Sequence, residues 1–139
     1  MLFALSILNP WAHAIIHLGK DIENRDWQTQ VRGTVAIHAG KRKVDEEAKI
    51  FAELYQRING DDFRNVPPFK GKFEFGAIIG VADIVGCVSE HPSPWFYGKW
   101  GFVLENQRTL KTPIPINGKL NFWKVPFDVE TEIWRQLNG

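Results

Sequence analysis

Between Ser6 and Lys41 the chain reads SILNPWA (6–12), HAIIHL (13–18), GKDIENRDW (19–27) and QTQVRGTVAIHAGK (28–41). Its first piece extends back into an apolar run, and Phe3 to Leu8 reads as a short buried strand. Asn9 is a good helix N-cap, Pro10 suits the first helical position and Gly19 suits the stop, so a short helix is expected from Pro10. The polar run Lys20 to Trp27 is extended or turning. If Glu23 to Trp27 is extended, alternation puts Glu23, Arg25 and Trp27 on one face, and Lys20 joins them only through a turn. Gly33 to Gly40 reads as a strand in which Val35 and Ile37 alternate with Ala36 and His38.

Outward from this stretch, Val44, Ala48, Phe51, Tyr55 and Ile58 recur at steps of four and three, the spacing of one helix face. Asp45, Glu46 and Glu47 in the first turn and Arg57 in the last match the helix dipole. A loop rich in Gly, Pro and Asp follows over residues 59–74. Gly76 to Val88 (GAIIGVADIVGCV) is apolar on both alternating faces and reads as a long buried strand that Gly80 and Gly86 allow to bend. Trp100 to Asn106, Leu110 to Ile116 and Lys119 to Val125 read as short strands, the last two joined by an Asn117-Gly118 hairpin turn. Asp128 is placed as the cap of a final helix whose Val129, Ile133, Trp134 and Leu137 face inward. The sum is about six strands and about three helices in one domain over 1–139, an α+β arrangement around a small bent sheet or barrel.

Composition bounds the rest. The chain has 139 residues, 44% hydrophobic and 24% charged, enough to bury a core without disulfides or a structural metal. One cysteine excludes an intramolecular disulfide and a multi-cysteine zinc site, and fits a reducing, cytoplasmic setting. Cys87 itself reads as packing. The formal net charge of +1 excludes a strongly basic coat protein, so any polyanion would have to meet a local patch. Residues 1–18 carry no charged side chain, but Asn9-Pro10 and two histidines interrupt them and no basic leader precedes them. Neither a membrane span nor a signal peptide is expected. His13 and His17 have the four-residue spacing of metal ligands, yet no third ligand lies near, so no metal is assigned, nor any other cofactor. Asp83, interrupting an apolar strand, calls for a hydrogen-bonding partner.

The P-W-A entry to the first helix, the segment G-K-x-x-E-x-R, the strand R-G-x-x-x-I-H-A and the later G-F-V-L-E-N together resemble the ASCH domains, whose fold is like that of PUA domains. The resemblance covers roughly Leu5 to Pro126. It implies a compact β-barrel with a cleft for RNA or another nucleic acid, bordered by the first helix and the segment after it. Lys20, Glu23 and Arg25 would then lie at the cleft. Lysine is a point charge for phosphate, arginine a planar fork for phosphate or base, and glutamate an acceptor for an exocyclic amine. Trp11, Trp27 and Trp95 are candidates for base stacking. His38 is a cleft candidate or a satisfied core histidine. Lys41, in the basic run Lys41-Arg42-Lys43, is placed to touch phosphates, and Trp95, Phe96 and Tyr97 form either a stacking platform or a loop anchor.

Two other functions stand beside binding of single-stranded or modified RNA, or of a nucleoside. Some relatives in the superfamily that this chain resembles are amidohydrolases acting on N4-acetylcytidine through a K-x-x-T-x-R segment and a more distant Glu that has no aligned counterpart here. Lys20 and Arg25 match that segment, but Glu23 occupies the threonine position, so the hydroxyl nucleophile is missing. A hydrolase, amidohydrolase-like or a ribonuclease, would need Glu23 as general base and Lys20 at the oxyanion. A protein-interaction domain using exposed rings is the third reading.

Overall fold

Alternation in the first strand determines which side of the sheet receives what. A computed structural model describes residues 1–139. Strand β1 (Phe3–Ile7) runs parallel to β3 (Gly33–Ala39), with Ala4 beside Ala36, Leu5 beside Ile37 and Ser6 beside His38. Leu5, Ile7, Val35, Ile37 and Ala39 enter one apolar cluster together with Ala12 and Ile15 of helix α1 (Trp11–His17). Ala4 and Ala36 enter another cluster on the opposite face, closed by Ile133 of helix α3 (Phe127–Asn138). Ser6 and His38 share the parity of Ala4 and Ala36, so their side chains point away from α1.

The sheet has six strands in the order β2–β5–β4–β3–β1–β6, where β2 is Ile22–Arg25, β4 is Ala77–Val88, β5 is Trp100–Pro115 and β6 is Phe122–Lys124. Of the three register shifts in the β4–β5 ladder, two fall at Gly80 and Gly86, the positions expected to bend, and the third lies between Val81 and Asp83. The sheet curls into a half-barrel whose ends approach one another. Trp27, just after edge strand β2, packs edge-on against Phe102 of β5 and Phe122 of the other edge strand, at 5.3 and 5.9 Å between ring centroids. With three α-helices this is an α+β fold consistent with a small PUA-like barrel. Helix α2 (Asp45–Asn59) lies outside α1, and its Phe51 and Tyr55 join Ala14, Leu18, Ile22, Phe63 and Trp95 in a third cluster. Burying each such large ring contributes about 1.5–3 kcal/mol. No helix is long and apolar enough to cross a membrane.

Not every local expectation holds, and the open choice between extended and turning for the polar run after Gly19 is decided. The segments 100–106 and 110–116 are one continuous strand, β5, irregular around Asn106, which takes φ 55°. The polar segment Ile22–Arg25 is a true strand, paired with β5. Asn117-Gly118 makes no hairpin: β6 pairs antiparallel with β1, setting Trp123 beside Ala4. What decides this is burial of Trp123 and Val125 on the α3 face. A Cβ at Gly118 would sit 2.5 Å from the Ser6 hydroxyl and 2.6 Å from the His38 ring, so the glycine serves close approach instead of a turn. The last helix is preceded by Pro126, with Asp128 in its first turn. Asp83 has its partners: the Thr34 hydroxyl donates to it at 2.7 Å and Arg108 lies at 3.5 Å.

Candidate functional site

The end of α1 delivers Lys20. The Lys20 backbone N–H donates back to the Ala14 carbonyl at 3.1 Å, so the chain wraps the helix terminus and turns into β2 with the Lys20 side chain inward. That turn overcomes the parity problem. Lys20 is only 2% exposed. Its ammonium donates to the Ile22 carbonyl, lies 3.4 Å from Glu23 Oε1 and sits 5.8 Å from the Trp11 ring centroid. Desolvation by burial lowers the Lys20 pKa, and the Glu23 charge opposes that shift.

Glu23 is 6% exposed and is shared. Its second oxygen accepts from Arg25 Nε at 2.9 Å, and Arg25 Nη2 donates to the Ser6 carbonyl at 2.9 Å. Alternation along β2 sends Glu23 and Arg25 to one side. Asn24, on the other, accepts from the Tyr97 backbone N–H and donates to the Trp95 carbonyl, both at 3.0 Å. Asn24 therefore fixes the loop from Trp95 to Tyr97. Within that loop the rings part: Trp95 is 4% exposed and stacks near Phe51, a loop anchor, whereas Tyr97 is 59% exposed at the cleft mouth. Trp11 forms the opposite lip, its Nε1–H donating to Glu47 Oε2 at 2.8 Å and its ring edge-on to Phe51.

These side chains line an open cleft of about 280 Å³ that also takes in Asn24, Glu47 and the main chain of Ser6. A neighbouring hollow of about 360 Å³ shares Asn24, Arg25 and Tyr97 and continues to Trp27 and Lys99. Cation and carboxylate alternate along the wall, so the surface offers both donors and acceptors and little net charge. Partial burial, then the charges of Glu47, Glu23 and Asp26, push the pKa of the Tyr97 hydroxyl up.

Lys20, Glu23, Arg25 and Trp11 are brought together in the cleft, and Trp27 borders its extension. Three other sequence candidates are not, the first being Trp95, buried against Phe51. His38 is 1% exposed on the α3 face of the sheet. Its Nε2 bonds the Ile116 carbonyl at 2.8 Å and its Nδ1 lies 3.0 Å from the Ser6 hydroxyl, which also accepts from Trp123 Nε1. A carbonyl only accepts and an indole only donates, so Nε2 carries the proton and both ring nitrogens are satisfied. Lys41, just past the C-terminal end of β3, is exposed and donates to Asn117 Oδ1, and it does not line the cleft. The sequence reading missed Asn24 and Glu47. No periodicity could reveal them, because each works through a partner over 35 residues away.

No family model matches the chain. It is 26% identical over 132 residues to Activating signal cointegrator 1 of Mus musculus and 26% identical over 137 residues to that of Homo sapiens. Each match takes in 88% of this chain, which spans 22% of the length of those relatives.

Proposed function

We propose that residues 1–139 form one ASCH domain of PUA-like fold that binds RNA, holding an unpaired or modified base, or a nucleoside, in the cleft between Trp11 and Tyr97. The observation that carries this reading is the Lys20–Glu23–Arg25 cluster, with Lys20 and Glu23 buried and Arg25 partly so, set in the wall of an open, ring-lipped cleft. Burying charges such as Lys20 and Glu23 is costly unless each is paired. Pairing them at a cleft wall leaves fixed donors and acceptors facing an entering group. A base edge offers the matching pattern, and a ring at the mouth offers stacking. The similarity to Activating signal cointegrator 1 supports the family at a distance. A reducing, cytoplasmic setting goes with this proposal.

The hydrolase reading has less support in the geometry. Both Glu23 oxygens face cations, and the Ser6 side chain points to the opposite face of the sheet. The cleft wall thus has no activated hydroxyl, and its carboxylate is held as a hydrogen-bond acceptor.

Fluorescence anisotropy of a short labelled single-stranded RNA at low and moderate salt tests the reading. The parent should bind with salt-sensitive affinity, and Lys20→Ala, Arg25→Ala and Tyr97→Ala should each weaken binding while the protein stays folded. If all three bind like the parent, the cleft is not the site. Incubation with N4-acetylcytidine at near-stoichiometric protein should yield no product. Turnover lost in Glu23→Gln would establish the hydrolase instead.

A further inference from the structure

On the other side of α1 lies a second groove, of about 550 Å³, between the helix, the segment 68–74 and residues 109–113 of β5. Trp11 faces the cleft, whereas His13 and His17, four residues apart, face this groove with ring centroids 4.8 Å from each other. The 69–73 segment, Phe-Lys-Gly-Lys-Phe, is built around His13. Phe69 and Phe73 pack edge-on against its ring at 5.7 and 5.4 Å and both contact Phe63. Between these two anchors Gly71, at φ 88°, turns the chain and leaves Lys70 and Lys72 exposed at the groove. Asn9 clamps the same segment to the helix: its Nδ2 donates to the Glu74 carbonyl at 2.5 Å and its Oδ1 accepts the His13 backbone N–H at 3.1 Å. Lys111 of β5 faces them across the groove.

None of Lys70, Lys72 and Lys111 takes part in the ion pairs of the fold, and Glu74 is the one carboxylate lining the groove. His13 is 8% exposed, and its Nε2 is buried without a hydrogen-bond partner. A buried, unpartnered nitrogen is a place where a ligand atom gains a full hydrogen bond. Three unpaired ammonium groups repel a metal cation and attract an anion. Lysine is suited to phosphate as a point charge.

We propose that this groove is a second ligand site, which binds phosphate groups supplied by a nucleic-acid strand or by a free polyphosphate, with Lys70, Lys72 and Lys111 as counter-charges and the His13–His17 pair as hydrogen-bonding partners. The inference does not rest on the reading of the cleft. Burial lowers the pKa of both histidines, that of His13 to about 4 with His17 adding to the effect. A phosphate entering among His13, His17, Lys70, Lys72, Lys111 and Glu74 offsets the cationic charge and makes protonation of the rings easier.

The test follows the imidazole nitrogens of His13 and His17 by NMR while the full chain is titrated with single-stranded RNA or with inorganic tripolyphosphate. Phosphate binding should move both rings toward the protonated form in the parent. In Lys70→Ala/Lys72→Ala, a double change at exposed positions, the response should be lost. RNA affinity at low salt should fall at least about tenfold, and the plot of log affinity against log salt should flatten by about 1.4, two phosphates at about 0.7 each. A response to tripolyphosphate without one to RNA assigns the site to small polyphosphates. If neither probe moves the rings, or the double variant responds like the parent, the proposal is overturned.

Discussion

The two hollows flanking α1 treat charge in opposite ways. In the cleft, Lys20, Glu23 and Arg25 are drawn into the protein and satisfy one another; in the groove, Lys70, Lys72 and Lys111 stand in solvent with no partner, beside histidines kept neutral by burial. A paired, desolvated cluster is rigid and orients a ligand, but part of the fold depends on it. Unpaired surface lysines barely affect the fold and act at range on any anion. The same residue type, lysine, therefore has two roles, decided by what surrounds it.

That contrast can be broken most sharply at Glu23. Glu23→Ala leaves the Lys20 ammonium buried without its carboxylate and should cost about 3 kcal/mol in urea unfolding, whereas Lys70→Ala/Lys72→Ala should stay within about 0.5 kcal/mol of the parent. Equal effects would show that the two hollows do not differ as described. Next in size is stacking at the cleft mouth: Tyr97→Ala should lose about 1–3 kcal/mol of RNA affinity in anisotropy with an unchanged melting temperature. His38→Ala should do the reverse. It strands the Ile116 carbonyl and the Ser6 hydroxyl behind the sheet, at about 1–2 kcal/mol of stability, with RNA affinity unaltered; a loss of affinity would place His38 in the cleft after all.

The last test is the dependence on pH. Unfolded histidine titrates near 6.5, while His13 in the fold titrates at about 4, and His17 and His38 are also lowered by burial. Between those values the unfolded chain binds more protons, so stability is fully present above pH 6.5 and declines as pH falls toward 4. Urea midpoints between pH 7 and 5 should drop, and less steeply in His13→Phe. A flat profile would mean that these rings are not held neutral.

Much of the architecture was legible because its signal is local. Gly33–Ala39 alternates and Asp45–Asn59 repeats every three to four residues, and Phe3–Ile7 and Ala77–Val88 stand out as mostly apolar runs that end at turn residues. Ile22–Arg25 gives no such signal: its strand character comes from pairing with β5, and a four-residue polar segment has no local reason to extend. The Asn117-Gly118 turn failed for the converse reason. A local preference worth little was overridden by burial of Trp123 and Val125. In the cleft, the residue types of Lys20, Glu23 and Arg25 and the parity of the latter two could be read, but not that Lys20 is buried. His38 had the right chemistry on the wrong face, since alternation separates Ala36 and His38 from Val35 and Ile37 but does not say which face holds the cleft.

What this sequence determined by itself is therefore the inventory: a bent sheet with three helices, a charged segment after a short helix, and two histidines and several lysines with no stated place. Which charges pair, which face opens and which rings reach solvent were decided only when β2 met β5 and the 69–73 segment closed over His13. Periodicity is written into neighbouring residues, whereas burial and pairing depend on partners tens of residues away along the chain.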